Sequence, residues 1–240
     1  GEKWEARIQS EVSGENASER TKSENPFFAA VPSGWRVQSL KSIFNLVSGF
    51  AFKSEFFRKG ETNLPILVTP GSFNPNGGLY PTRELDVGYL GEFDKRFLLK
   101  HGDMVVAMTD LSYRKLILGR CEFVDRDGML LNQRIAKIVN LNPDVRPAFL
   151  RYAMNARSSR EQVSLSAVGA TVFHSSADKI RSTHILVPPV GVQDCIVDEL
   201  DKQDRLHRSL VSGVKLSIDR LKEYRSALIT AAVTGQIDVS

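Results

Sequence analysis

Short apolar segments separated by turn residues fill the middle of the chain. Runs of four to eight apolar or β-branched residues, bounded by Gly, Pro and Asn, are typical of β-strands. The strands predicted from this pattern cover residues 64–68, 104–108, 117–124 and 134–139, and a further apolar run covers residues 185–187. Two irregular loops are predicted between them, at residues 71–78 and 110–115.

A helix is predicted after these strands. Pro147 can begin it, because the fixed φ of proline suits the first helical position. Apolar residues then recur at helical spacing, at Phe149, Leu150, Ala153 and Met154. Strands and helix together predict a mixed α/β (α+β) globular domain over residues 31–190.

The last fifty residues predict one long helix of coiled-coil type, over residues 191–240 with a C-terminal cap. No proline follows Pro189, and Asp194 is the predicted N-cap. Residues alternate at spacings of four and three along a heptad seam that comprises Ile196, Leu200, Gln203, His207, Leu210, Val214, Ser217, Leu221, Tyr224 and Leu228. At the helical rise, residues 194–230 would extend about 55 Å. A narrow stripe of that length predicts pairing with a second long helix.

Polar residues interrupt this seam at three positions, Gln203, His207 and Ser217. Such residues either set the register and the choice of partner, or lie at a wet edge of the seam. Both interpretations stay open.

The first thirty residues are polar and rich in Glu, Ser and Asn, and we predict a flexible lead-in there. The chain has no run near the roughly 18 apolar residues of a membrane span and no signal-like start. We expect a soluble, cytoplasmic protein. Cys121 and Cys195 lack CxxC spacing, so neither a zinc site nor a disulfide is expected, and both thiols should be free and partly buried.

Charge favours an acidic partner for the middle of the chain. The net charge is only +4, but basic residues outnumber acidic ones between residues 31 and 190. Such a surplus fits a face that binds phosphates, although alone it is weak evidence.

Catalytic motifs are missing from the sequence. A GxxxxGK[ST] phosphate loop is absent, and the string nearest to an amino-methyltransferase signature, Asn25-Pro26-Phe27-Phe28, lacks the second proline. The carboxylates lack the strand spacing of a magnesium nuclease, and the four histidines are scattered. We therefore predict no catalytic site, no metal and no cofactor in this chain.

Several strings together resemble the repeat unit of type I restriction-modification specificity subunits, from about residue 31 to residue 239. They are Pro32-Ser33-Gly34-Trp35, Gly102-Asp103-Met104-Val105, Leu131-Asn132-Gln133-Arg134, Gly169-Ala170-Thr171, Pro188-Pro189 with Gln193, and Val233-Thr234-Gly235. Val192 stands where that family has Glu before the Gln. Each string alone is common, and the specificity comes from their order and spacing.

The resemblance implies a non-catalytic subunit with one target-recognition domain and its spacer helix, which reads one half of a bipartite target in double-stranded DNA. Separate methyltransferase subunits would bind S-adenosylmethionine, and a motor-nuclease subunit would cleave. Since that family carries two domains and two helices, this chain is either a half-length subunit that pairs as an antiparallel homodimer or a fragment of a longer one. A protein-interaction adaptor and the recognition module of a single-chain restriction-methylation enzyme are the alternatives.

Candidate DNA contacts follow from the chemistry of base reading, in which Arg and Lys bind guanine, Asn and Gln bind adenine, and further cations bind phosphates. Two loops combine such residues with an aromatic side chain, and other candidates adjoin the family-like strings. The set is Lys53, Arg58, Lys59, Asn74, Asn76, Tyr80, Arg83, Tyr113, Arg114, Lys115, Gln133, Arg134, Thr171 and His174. For each of them, a solvated or structural side chain is the competing interpretation.

Overall fold

The computed structural model describes residues 20–22, 25–28, 30–61, 63–80, 86–112, 114–169 and 172–237. It divides into two units, residues 1–194 and residues 195–240. Most of the predicted lead-in, and the candidates Arg83, Tyr113 and Thr171, lie outside the described residues.

The first unit carries fifteen short strands in its described part. They are β1 (Arg20–Lys22), β2 (Ala30–Pro32), β3 (Arg36–Ser39), β4 (Asn45–Ser48), β5 (Phe57–Lys59), β6 (Ile66–Val68), β7 (Val87–Tyr89), β8 (Leu98–Leu99), β9 (Met104–Ala107), β10 (Thr109–Asp110), β11 (Cys121–Phe123), β12 (Met129–Leu131), β13 (Ile135–Val139), β14 (Phe173–His174) and β15 (His184–Val187). The helices are α1 (Pro147–Asn155), α2 (Arg157–Ser166), α3 (Ala177–Arg181) and α4 (Val190–Val233).

Two larger sheets form the centre of this unit. One is antiparallel in the order β11-β9-β13-β4, and the other has the order β5-β7-β6-β12-β8 with β6 and β12 parallel. Three two-stranded pairs, β1-β2, β10-β14 and β15-β3, complete the pairing. The mixed α/β class with a long C-terminal helix is therefore as predicted.

Apolar strands of the two larger sheets form the hydrophobic core. Leu67, Val105, Leu130 and Ile135 are almost completely buried there. Phe50, Phe52, Tyr89 and Phe97 pack beside them, with ring centroids 4.8 to 6.4 Å apart. Burial of such side chains is the main favourable contribution to folding.

Gly49 lets the chain pass close to β12. A Cβ atom at this position would lie 2.3 Å from the carbonyl oxygens of Leu131 and Asn132, so only glycine fits. The adjacent Phe50 N–H donates to the Leu131 carbonyl at 2.9 Å. This contact holds the end of β4 against the turn that follows β12.

The strand predicted at residues 117–124 is wrong over more than half of its length. Only Cys121–Phe123 of residues 117–124 is a strand. Residues 117–120 form a turn in which Arg120 N–H donates to the Ile117 carbonyl and Gly119 has φ +72°. Asp110 Oδ2 accepts a hydrogen bond from the N–H of Ile117 and stabilises this turn. The pattern of apolar residues cannot reveal such a contact.

The long helix α4 begins at Val190, four residues before the predicted start. Asp194 is therefore not the N-cap, and its carboxylate accepts a hydrogen bond from Arg146 Nε at 3.1 Å. At 1.5 Å per residue the helix extends about 66 Å, longer than the predicted 55 Å. After it, Gly235 has φ +72° and Gln236 N–H donates to the Ala231 carbonyl at 2.8 Å. This is a common way of ending a helix.

None of the described helices combines the length and apolar character needed to cross a membrane. In the same part of the chain, His, Cys, Asp and Glu residues do not gather into a group of three that could hold a metal ion. Cys121 is buried and Cys195 is exposed, and both are free thiols.

Candidate nucleic-acid interface

Three of the predicted DNA contacts meet in one open groove. Gln133 and Arg134 come from the turn between β12 and β13, and His174 comes from β14. The groove has a volume of about 640 Å³. Its remaining lining residues are Ser48, Met108, Thr109, Val168, Ser175, Ser176, Ala177 and Lys179. Side chains from distant parts of the sequence thus converge on one surface.

Backbone hydrogen bonds fix the turn that carries Gln133 and Arg134. The N–H of Gln133 donates to the Phe50 carbonyl at 2.9 Å, and the carbonyl of Arg134 accepts from Met108 N–H at 3.0 Å. Asn132 is buried, and its Oδ1 accepts from Arg134 N–H at 3.2 Å. Both side chains of the turn are exposed, so a rigid backbone presents an amide and a guanidinium to solvent.

His174 is held by the short pair β10-β14, in which it lies opposite Thr109. Its Nδ1 and the Thr109 hydroxyl are 3.0 Å apart, and which of them donates depends on the tautomer. The Thr109 side chain is buried while the histidine is exposed. The threonine therefore orients the ring at the groove surface.

The groove favours an anion. Arg134 and Lys179 are cationic, and the described lining contains no carboxylate. The Lys179 Nζ already donates to the Ser166 carbonyl at 2.8 Å, so Arg134 is the more accessible of the two cations. Ser175 is 3% exposed, and its hydroxyl has no hydrogen-bond partner among the described residues. This oxygen is itself buried, so a ligand in the groove would reach it only after a local rearrangement. Sequence reasoning missed Ser175 and Lys179, although both follow closely on His174.

A second group of candidates lies in a tight loop closed by the bridge between Phe73 and Leu79. The Asn74 side chain accepts from Asn76 N–H at 2.9 Å, so its amide already shapes the loop. Asn76 is exposed at the tip, and Tyr80 is half-buried with its N–H bonded to the Ser72 carbonyl. Of these three candidates, Asn76 is the one most accessible to a ligand.

The loop at residues 110–120 is held from both sides. Buried Asp110 accepts the N–H groups of Ser112 and Ile117, each at 2.7 Å. From α2, the Arg160 guanidinium donates to the carbonyls of Lys115, Leu116 and Leu118. Burial lowers the pKa of Arg160 to about 10, which still leaves it charged near neutral pH.

Within this loop the two candidate cations differ. Lys115 is half-buried in the left-handed region at φ +48°, its Nζ donates to the Ser164 carbonyl at 2.9 Å, and it lies 4.6 Å from the Phe173 ring centroid. Arg114 is exposed. The Lys115 ammonium is already bonded within the protein, so it would have to be released to bind a phosphate.

Three further candidate cations lie in and beside β5. Lys53 is exposed, with Nζ 3.9 Å from a Glu55 carboxylate oxygen, and Lys59 is also exposed. Arg58 is half-buried and donates to the carbonyls of Glu55 and Phe57, both at 2.9 Å. Lys53 and Lys59 therefore have the exposure that binding to the DNA backbone needs.

In the second unit, the seam residues range from buried to exposed. Ile196 is buried, Leu200 and Gln203 are half-buried, and every seam residue from His207 to Leu228 is exposed. Leu221 and Tyr224, for example, are 66% and 63% exposed. A run of exposed apolar side chains this long usually marks an interaction surface.

Among curated proteins, the chain is similar to type I restriction enzyme specificity subunits, while no family model matches it. It is 26% identical to the EcoBI specificity subunit of Escherichia coli over 208 residues, which covers 87% of this chain and 40% of that protein. Its identity to the EcoAI specificity subunit of the same organism is 24% over 220 residues, covering 88% and 35%. The chain thus spans less than half the length of these relatives.

Solved structures agree in fold. The HsdS subunit from Thermoanaerobacter tengcongensis superposes with a TM-score of 0.59 at 16% identity, covering 98% of this chain and 52% of that one. The S subunit of the type I system from M. genitalium gives 0.54 at 18% identity, covering 82% and 46%. The chain is thus similar in sequence to the type I restriction enzyme specificity subunits, and its fold corresponds to about half of the solved S subunits.

Proposed function

We propose that this chain recognises a specific sequence in double-stranded DNA and reads one half of a bipartite target for a type I restriction-modification complex. The groove that brings Gln133, Arg134 and His174 together carries the proposal. An exposed amide beside a guanidinium suits the hydrogen-bonding edges of adenine and guanine. Lys179, once its Nζ is released from the Ser166 carbonyl, suits a phosphate oxygen, which would fix the position of the duplex.

In this proposal the chain performs no catalysis itself. Its sequence lacks the phosphate loop and the methyltransferase signature that such reactions use. Partner methyltransferase subunits would bind S-adenosylmethionine and a motor-nuclease subunit would cleave. Methyl transfer from labelled cofactor to DNA by the purified chain alone, in a preparation free of host enzymes, would contradict this part of the proposal.

The exposed seam of α4 is the proposed pairing surface, with residues 31–190 as the recognition domain and residues 191–240 as the spacer. Two copies paired antiparallel would carry their recognition domains to opposite ends of a rod of about 66 Å. One turn of DNA is about 34 Å, so the domains would meet two half-sites separated by unread base pairs. Identical chains would read inverted copies of one half-site.

Fluorescence anisotropy with a labelled duplex, measured over a series of salt concentrations, tests the DNA proposal. The wild-type chain should bind with an affinity that falls steeply as salt rises. Arg134→Ala should weaken binding by about tenfold or more, since a bidentate contact to guanine contributes about 1–3 kcal/mol. Arg157→Ala is the matched control, because this exposed arginine pairs with Glu161 at 2.7 Å and does not line the groove.

Two outcomes would contradict the DNA proposal. Wild-type chain that binds no duplex, or binds it with no dependence on salt, would favour a protein-interaction adaptor, for which the exposed apolar seam is the supporting observation. Equal losses of affinity from Arg134→Ala and Arg157→Ala would show that the groove has no special part in binding.

A further inference from the structure

A buried cluster of charges lies apart from the groove lining, beneath the loop at residues 74–78. Glu122 in β11 is 1% exposed. Its carboxylate oxygens lie 3.4 Å from Arg120 Nη1, 3.7 Å from Arg151 Nη1 and 3.5 Å from Asn155 Nδ2. The side chains of both arginines are largely buried as well.

Two contacts connect this cluster to the 74–78 loop. The backbone N–H of Gly78 interacts with the Glu122 carboxylate and lowers its pKa against the effect of burial. At the other end of the loop, Arg120 Nη1 donates to the Asn74 carbonyl at 3.3 Å. The same guanidinium thus contacts both the loop and the Glu122 carboxylate.

Helix α1 fixes the other side of the cluster. Asn155 Nδ2 donates to the Cys121 carbonyl at 2.7 Å, and its Oδ1 accepts from Cys121 N–H at 3.1 Å. Arg151 comes from the same helix. The path from α1 through β11 to the loop therefore consists of directional polar contacts.

Stability alone is a poor reason for such a cluster. Taking charges out of water costs more than most buried ion pairs return, and apolar replacements are often equally stable. Consistently, burial raises the pKa of Glu122 despite the opposing effect of Arg120 and Arg151. What an apolar cluster cannot supply is a fixed hydrogen-bond geometry for a glycine-containing loop.

We propose that Glu122 is a positioning residue that, with Arg120, holds the 74–78 loop so that exposed Asn76 can read a base edge. The proposal rests on the DNA-reading function proposed above. Asn suits adenine in the major groove, but only a loop of defined conformation can discriminate between bases. Glu122 would thereby determine specificity without touching DNA.

The test compares Glu122→Gln with Glu161→Gln, the same substitution at an exposed ion pair with Arg157. Hydrogen exchange of the Gly77 and Gly78 amides reports on the loop. In Glu122→Gln these amides should exchange about tenfold faster, because a neutral amide holds the Arg120 guanidinium, which bonds the Asn74 carbonyl, less firmly than a carboxylate does. In Glu161→Gln their exchange should not change.

The second measurement is duplex selection from a randomised pool, followed by anisotropy on the selected and unselected duplexes. Glu122→Gln should reduce the preference for the selected duplex about tenfold and leave the salt dependence unchanged, because phosphate contacts are not altered. A loss of structure would instead reduce binding to both duplexes. If Glu122→Gln does not fold, Arg120→Lys takes its place, since it keeps the charge but replaces the planar guanidinium by a shorter side chain with a single ammonium group.

The outcomes separate this inference from the function on which it rests. Unchanged exchange of the loop amides overturns the positioning role. Faster exchange with unchanged discrimination overturns the reading role of the loop, while salt-dependent binding by the wild-type chain leaves the proposed function standing. A wild-type chain that binds no duplex overturns the function and the reading role together.

Discussion

Replacing Gln193 by Ala should destabilise the first unit more than its position in a helix suggests. Gln193 lies in the first turn of α4 and is 0% exposed. Its Oε1 accepts from Arg146 N–H at 2.8 Å, and its Nε2 donates to the carbonyls of Asp144 at 2.8 Å and Pro188 at 2.9 Å. One side chain thus joins the turn before α1 to the start of α4.

The expected cost follows from these three bonds. Each intramolecular hydrogen bond contributes about 1 kcal/mol net, and a buried partner left without a bond costs about 1–3 kcal/mol. Arg146 and Asp144 are exposed residues, so water can replace part of the missing hydrogen bonding. We therefore expect Gln193→Ala to lower the free energy of unfolding by about 3 kcal/mol, including the cavity left by the side chain.

Urea denaturation followed by circular dichroism measures this, with Gln203→Ala as the matched control. Gln203 makes one bond, from Nε2 to Glu199 Oε1 at 2.7 Å, with a residue of its own helix. Such a pair contributes about 0.2–0.5 kcal/mol, and alanine is the better helix former. A decrease below about 1 kcal/mol for Gln193→Ala, or equal decreases for both variants, would refute the reasoning.

Three further predictions concern DNA, pairing and pH. Replacing Arg114 and Lys115 together by Ala should reduce the log-log salt slope by about 0.9 for each DNA phosphate that the variant no longer neutralises; an unchanged slope would place both cations away from DNA. Leu210→Asp with Leu221→Asp should abolish self-association in sedimentation, since charges would enter an apolar seam at a cost of several kcal/mol; wild-type chain that stays monomeric at tens of micromolar would rule out self-pairing. Burial raises the pKa of Glu122 above 4.5, so the protonated form is favoured in the folded state. Its contribution to the free energy of unfolding is therefore complete below pH 4.5 and is lost as the pH rises through the raised pKa. Wild-type chain should therefore gain stability relative to Glu122→Gln as the pH is lowered from 7 toward 4.5 in urea denaturation, and parallel pH profiles would contradict this.

The sequence was informative where local periodicity decides the structure. The long helix and the helix after Pro147 follow from spacings of three and four, which depend only on neighbours. The start of α4 was not predictable, because Asp194 looks like a cap but bonds Arg146, 48 residues away. The turn at residues 117–120 was missed for the same reason, since it depends on Asp110 and on Arg160 from α2.

The candidate site was predictable only in part. Gln133, Arg134 and His174 adjoin recognisable strings, and the structure places all three in one groove. Lys179 lies on α3, and its position in the same groove as Arg134 depends on tertiary packing. Lys115 was predicted as an exposed contact because of its charge, but its Nζ bonds the Ser164 carbonyl.

The pairing of β3 with β15 has a consequence for how the first unit can be engineered. In this register Arg36 lies opposite Val187. The first and last residues of the region 36–187 are therefore neighbours on paired strands. Paired strands lie about 5 Å apart, a gap that a linker of a few residues can close. This geometry permits circular permutation of residues 36–187. Val187 would be joined to Arg36, and the new termini would lie at the exposed Asp125.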